Sequence, residues 1–160
     1  MRINIDLGEH IVASLPKVWG NELGVIGFFS KSKEGILHLT HRKLIFVARY
    51  THLTPREMEK YYGGDEAKLA KIDGYSETQL DEDIENSKHV LVPLTSVVSA
   101  ESVNVRKVNF LRLKYKTDSN KVKGFDFGMT KSVTNYPMRQ PLLFYSINWE
   151  AWVRAIKAYL

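Results

Sequence analysis

Between Gly35 and Val47 the chain carries two short runs rich in branched and aromatic residues, separated by a polar break. Leu37 and Leu39, then Leu44 and Phe46, fall at every second position. That is the period of a strand with one buried face, and it leaves His38 and Thr40 on the opposite face. The spacing predicts an antiparallel hairpin connected through Thr40 to Lys43. Lacking an Asn-Gly or Asp-Gly pair, the connection is expected to be a four-residue loop of type I character.

The same reading extends along the chain. Glu9 to Ser14 fits a short strand or a helical turn, ended by Pro16 in either case. Val18 to Ser30 has strand composition interrupted by Gly20, Gly24 and Gly27, which predicts a first long strand that bends. Ser30 to Gly35 then forms a polar hairpin connection. Between Thr51 and Lys88 the pattern becomes helical. Thr54 followed by Pro55 and Glu57 is a helix start, and Gly63-Gly64 a stop. Asp65 is expected to cap a second helix through Lys71, and Ser76 to Asn86 forms a weaker third. Leu69 and Ile72, and then Leu80 and Ile84, give these narrow apolar stripes, so the segment reads as a loosely held excursion from the sheet.

Strand patterning returns from His89 through Val103, where Pro93 implies an edge position or a bulge. Phe110 to Lys116 alternates cleanly, with Leu111, Leu113 and Tyr115 on one face and Arg112, Lys114 and Lys116 on the other. After a turn at Thr117 to Asn120, Lys121 to Gly128 carries Phe125 and Phe127 inward. A loop with Tyr136-Pro137 and Gln140-Pro141 leads to a last strand at Leu142 to Tyr145. Ser146 is the expected cap of a closing helix that places Trp149, Trp152, Val153, Ile156 and Leu160 on one face. The prediction is a mainly β domain, α+β by content, spanning residues 1–160. Its seven antiparallel strands form a small barrel or sandwich with a helical, acidic insertion at 51–88 between strands three and four. Trp149 and Trp152 plug one end.

Composition narrows the function classes. The chain has 160 residues, enough to bury a core without crosslinks, and no cysteine, which removes disulfides, thiolate metal sites and cysteine nucleophiles. No leader-like apolar segment opens it, and no run approaches the ~20 apolar residues of a membrane span, so a cytoplasmic protein, at most peripheral to a membrane, is expected. The net charge of +5 is unevenly distributed. Residues 51–88 hold ten acids against five bases, which leaves 18 bases and 8 acids elsewhere. A basic body of that kind is drawn to anionic surfaces.

Candidate chemistry is sparse. His38 and His41 form an H-x-x-H, but three apart in a strand and its turn they point to opposite faces with no third ligand. Asp81, Glu82, Asp83 and Glu85 lack the glycine turn and spacing of a calcium loop and read as a solvated face. No nucleophile elbow or phosphate-binding glycine loop occurs. The sequence therefore predicts no catalysis, metal or cofactor. Arg112, Lys114 and Lys116, near Arg106, Lys107, Lys121 and Lys123, form an alternative basic face. Nucleic acid is disfavoured there because the aromatic residues that would stack on bases point inward.

Three segments in order resemble a known family. Gly35-x-Leu37-x-Leu39-Thr40-x-x-x-Leu44-x-Phe46 resembles the second and third strands of GRAM-type and bacterial pleckstrin-homology-like domains. Val92-Pro93-Leu94-Thr95-Ser96-Val97 resembles their I-P-L-x-x-I fourth strand, and Trp149 to Leu160 their closing W-x-x-x-I helix. The resemblance implies a pleckstrin-homology-like barrel acting as a non-catalytic adaptor on membranes or proteins. Members that bind phosphoinositides use basic residues of the first hairpin. Lys31 and Lys33 match that position, with Arg42 and Lys43 at the next turn, whereas His38 stands where such binders place Arg or Lys. The implied partners are anionic lipid headgroups or, through the insertion or the groove between closing helix and sheet, a protein. GLUE domains, ubiquitin-binding relatives, illustrate the second use, although no ubiquitin-specific motif is present.

Overall fold

The computed structural model describes residues 5–23, 33–134 and 140–160, with only the backbone of 132–134 and 140–142. Its strands are β1 (Ile11–Glu22), β2 (Lys33–Thr40), β3 (Lys43–Ala48), β4 (His89–Pro93), β5 (Val97–Val105), β6 (Val108–Lys116), β7 (Val122–Thr134) and β8 (Gln140–Tyr145). The helices are α1 (Pro55–Tyr62), α2 (Glu77–Asn86) and α3 (Glu150–Ala158). The strand order is β4-β3-β2-β1-β7-β6-β5, with β8 paired to β7, and every strand pair is antiparallel. Because β4 and β5 stand at opposite ends of that order, the sheet is not closed. Among the described residues no helix is long and apolar enough to cross a membrane.

The count is eight strands where alternation predicts seven. His89 to Val103 reads as one strand, but a 3-10 turn at Leu94–Ser96 breaks it, and the two pieces go to opposite ends of the order. Pro93 does lie on an edge strand, paired with Lys43. At the other end of the chain Pro16 does not stop the first strand. β1 absorbs it in a bulge between Leu15 and Val18, with Lys17 at φ 60°, and runs on to Glu22. The long strand therefore starts earlier than predicted and bends at bulges. Residues 24–29 of the predicted first strand, with Gly24 and Gly27, residues 30–32 of the expected hairpin connection and Tyr136-Pro137 lie outside the described residues.

Leu39 faces Leu44, so Thr40 to Lys43 does close the hairpin, and the Thr40 hydroxyl accepts the Arg42 and Lys43 N–H groups at 3.1 and 2.8 Å. Leu37, Leu39, Leu44 and Phe46 enter the main core with Leu111, Leu113 and Phe127. Trp149 and Trp152 are fully buried in the same core. Their indole N–H groups donate to the carbonyls of Asn109 and Lys68 at 3.2 and 3.1 Å. The closing helix starts later than predicted: Asn148 Oδ1 accepts the Glu150 N–H, and Ser146 instead accepts from Asn109 N–H. It also ends at Ala158, which leaves Leu160 exposed.

The insertion departs most from expectation. α1 starts at its predicted Thr54 cap, with a capping box to Glu57, and α2 covers its predicted range, capped by Ser76. No helix forms after Asp65; that stretch runs extended, with Ala67 N–H donating to Asn148 O and Ser14 N–H to Ala70 O. Leu80 and Ile84 of α2, with Tyr75, pack on Ile11, Ile45, Val47 and Leu91 as a second apolar cluster. The face that alternation assigns to water is thus roofed: His38 is wholly buried beneath Tyr75, and Thr40 is wholly buried against Glu9.

Gly35 makes the close approach inside that hairpin possible. A Cβ there would lie 2.2 Å from the Val47 carbonyl oxygen and 2.7 Å from Phe46 Cζ. Backbone cannot swing aside, so Gly35→Ala is expected to lower stability by about 2 kcal/mol. At Gly20 an added Cβ would meet only ring edges of Phe46 and Phe127, at 3.2 Å, so Gly20→Ala should cost less. Thermal unfolding of the two variants side by side checks the difference.

Candidate functional site

The end of β1, the starts of β2 and β4 and the end of β3 converge on one mouth of the sheet. A cavity of about 400 Å³ opens there, lined by Gly20, Glu22, Lys33, Phe46, Ala48, Lys88, His89, Val90 and Phe125. Its floor is aromatic because inward positions of β3 and β7 bring rings together: Phe46 lies 5.6 Å from Phe127, Phe127 stacks on Phe125 at 5.9 Å, and Phe125 stacks on Tyr115 at 6.5 Å. Among the described residues its rim holds Lys33, Lys88 and His89, with Glu22 as the one carboxylate, 3.9 Å from Lys123 Nζ. An apolar floor with a predominantly basic rim suits an anionic group attached to apolar material.

The structure separates the basic residues that the sequence groups together. Lys33 is on this rim, and Lys31 lies outside the described residues. Arg42 and Lys43 occupy the far end of the β2–β3 hairpin, about 23 Å away at the usual rise of a strand. They belong to an ion cluster there. Lys43 Nζ lies 2.6 Å from Glu9 and 3.3 Å from Asp6, and Arg42 Nη1 lies 3.2 Å from Asp6. The Glu9 side chain is fully buried, and it also accepts from the Thr40 hydroxyl and from Asp6 N–H. Burial alone would raise the Glu9 pKa, but Lys43, Thr40 and the Asp6 N–H outweigh it and hold the carboxyl below its ordinary value. Both cations are therefore spent on tying residues 6–9 to the hairpin turn.

The alternative basic face is similarly reduced. Arg112 on β6 grips Asp126 on the adjacent β7 with two hydrogen bonds of 2.8 and 2.9 Å. This bidentate pair neutralises the first member of the row, leaving Lys114 and Lys116 exposed further along the strand. Phe125 and Phe127 are turned toward the core.

Sequence reasoning missed Lys88 and His89, because they follow the acidic insertion and precede a short strand; the only signal is their position at a strand start. It also missed a polar network under α2. His38 Nδ1 and Ser14 Oγ are 2.6 Å apart and buried, and the imidazole stacks on Tyr75 at 4.9 Å. The Tyr75 hydroxyl donates to Asp83, which also pairs with Arg49 at 2.7 Å and accepts from Gln79 at 3.1 Å. Burial pushes the His38 pKa down to about 3, with the Asp83 charge opposing that shift and Arg49 adding to it. His38 Nε2 has no hydrogen-bond partner among the described residues.

His41 sits apart on the turn, 6.2 Å from His10. Among the described residues no group of three or more His, Asp or Glu side chains is arranged to hold a metal ion. The acidic run on α2 is more than a solvated face, since Glu77 and Asp81 accept the Ile11 and Ile5 N–H groups at 3.0 and 3.1 Å. Compared with models of known protein families and with curated proteins, the chain matches none.

Proposed function

We propose that this chain is a non-catalytic interaction module of the pleckstrin-homology-like kind, which binds the headgroups of an anionic membrane at the mouth between β1, β2, β3 and β4. The carrying observation is the cavity of about 400 Å³ whose rim holds Lys33, Lys88 and His89 above Phe46 and Phe125. Lysine ammonium groups attract phosphate or carboxylate headgroups, and an anionic leaflet adds about 1 kcal/mol for each Lys or Arg brought near it. The antiparallel order of strands, with a closing helix packed into the main core, supports the family resemblance in its outline. Arg42 and Lys43 are left out of the site because Asp6 and Glu9 already hold them.

Vesicle sedimentation tests the reading. At low salt the protein is expected to pellet with vesicles containing phosphatidylserine and to stay in solution with neutral phosphatidylcholine. A Lys33→Glu, Lys88→Glu double variant should lose at least about tenfold in retention, the effect of two reversed charges at ~1 kcal/mol or more each. Equal retention of wild type and variant, or none on acidic vesicles, removes the proposal.

A further inference from the structure

The insertion also builds a concave surface that shares no lining residue with the mouth. α1 lies beside the β7–β8 pair and leaves an open groove of about 450 Å³ lined by Leu53, Met58, Tyr62, Met129, Tyr145 and Ile147. Among the described residues, the charged members of its lining are two carboxylates, Glu59 and Asp65. Apolar surface continues out of the groove along β8. Leu143 and Tyr145 are 58% and 40% exposed and, two residues apart, share a face of the strand. Phe144 between them turns away to meet Phe110 edge-on at 5.0 Å. Among the described strands β8 pairs with β7 alone, so its other edge has no strand partner.

Three features that coincide here each select the same occupant. An unpaired edge offers backbone donors and acceptors to an extended chain. Exposed apolar side chains that run into an apolar groove mark an interaction surface and suit side chains at alternate positions of that chain. The two lining carboxylates, on an insertion with ten acids and five bases, favour a cationic side chain at that end of the groove. The ammonium of Lys131 lies 5.8 Å from the centre of the Tyr145 ring, at the β8 side of the site.

We propose that this groove binds a short extended peptide segment in which apolar side chains alternate with lysine or arginine, laid along the β8 edge. The proposal is independent of lipid binding at the mouth. Its test is methyl and amide NMR titration of the full chain with a synthetic peptide alternating leucine and lysine, and with its counterpart carrying glutamate in place of lysine. The basic peptide is expected to shift the Met58 and Met129 methyl resonances and to bind at least about tenfold more tightly than the acidic one.

A Glu59→Lys, Asp65→Lys double variant, with both changes on exposed side chains, should weaken the basic peptide by about tenfold. No shifts at these methyls, equal affinity for the two peptides, or an unchanged affinity in the double variant overturns the proposal. So does a concentration-dependent dimer that Tyr145→Glu dissociates, since a second copy of the chain would then be the occupant.

Discussion

Lowering the pH from 7 to 5 is expected to remove about 2 kcal/mol from the stability of this fold through one buried imidazole. His38 is wholly buried between Ser14 and Tyr75, and burial holds its pKa at about 3 against an ordinary value of 6.5. The unfolded chain therefore binds more protons between these two values, and stability rises with pH across that window. The contribution is complete above pH 6.5, falls by about 1.4 kcal/mol per unit below it, and has lost about 5 kcal/mol by pH 3. Asp83 and Arg49 face the imidazole with opposite charges and so largely offset each other. Glu9 and Asp83 have pKa values below their ordinary ones and add acid lability only at lower pH. Urea unfolding at pH 7, 6 and 5 isolates the histidine. His38→Gln, whose amide reaches Ser14 without titrating, should flatten the profile; parallel profiles for the two proteins would defeat the argument.

Lys43→Met is expected to cost about 3 kcal/mol or more, because it strands the fully buried Glu9 carboxylate without a counter-ion. Asp6 gains no freedom that compensates, being itself a carboxylate held by Arg42 and Lys43. Glu9→Gln should cost far less, about 1 kcal/mol: the amide oxygen still accepts from Thr40, and Lys43 keeps Asp6 and its access to water. The pH dependence has the opposite sign to that of His38. Removing Lys43 takes away the strongest of the groups that lower the Glu9 pKa, so that pKa rises, and the deficit of the variant shrinks as the pH falls through the range where the wild-type Glu9 takes up its proton. Denaturant midpoints of the two single variants and the double variant check this. Equal losses for Lys43→Met and Glu9→Gln would show that the buried charge is not the cause.

What the sequence discloses is mainly what repeats locally. The period of two in β2, β3 and β6 announces both strand and inward face, and the spacing of Trp149, Trp152, Val153 and Ile156 announces the closing helix and its burial. Alternation cannot say what covers the other face. His38 looks solvent-facing because Tyr75 and α2, which cover it, arrive from nearly forty residues further on, and Thr40 because Glu9 reaches it from about thirty residues before. Pro16 misleads for a related reason: a bulge absorbs it and the strand runs on. The Arg106-Lys107 connection, with φ of 51° and 70°, is a two-residue hairpin built without glycine or asparagine, so no turn signal marks it. The basic candidates show the same limit. Composition counts Arg42, Lys43 and Arg112 as available cations, and only tertiary pairing with Asp6, Glu9 and Asp126 withdraws them.

β1 hydrogen-bonds to β2 along most of its length and to β7 at its last four residues, joining Trp19–Glu22 to Phe125–Gly128 across more than a hundred intervening residues. The two arms of the sheet can each zip from neighbouring strands, but their union waits on closing that long loop, and the tie of Asp65 and Ala67 to Asn148 waits with it. Assembly of this molecule is consequently governed by a late, entropically slow meeting of two halves. Until it occurs, the seam residues of β1 and β7 offer unpaired backbone to any other nascent copy.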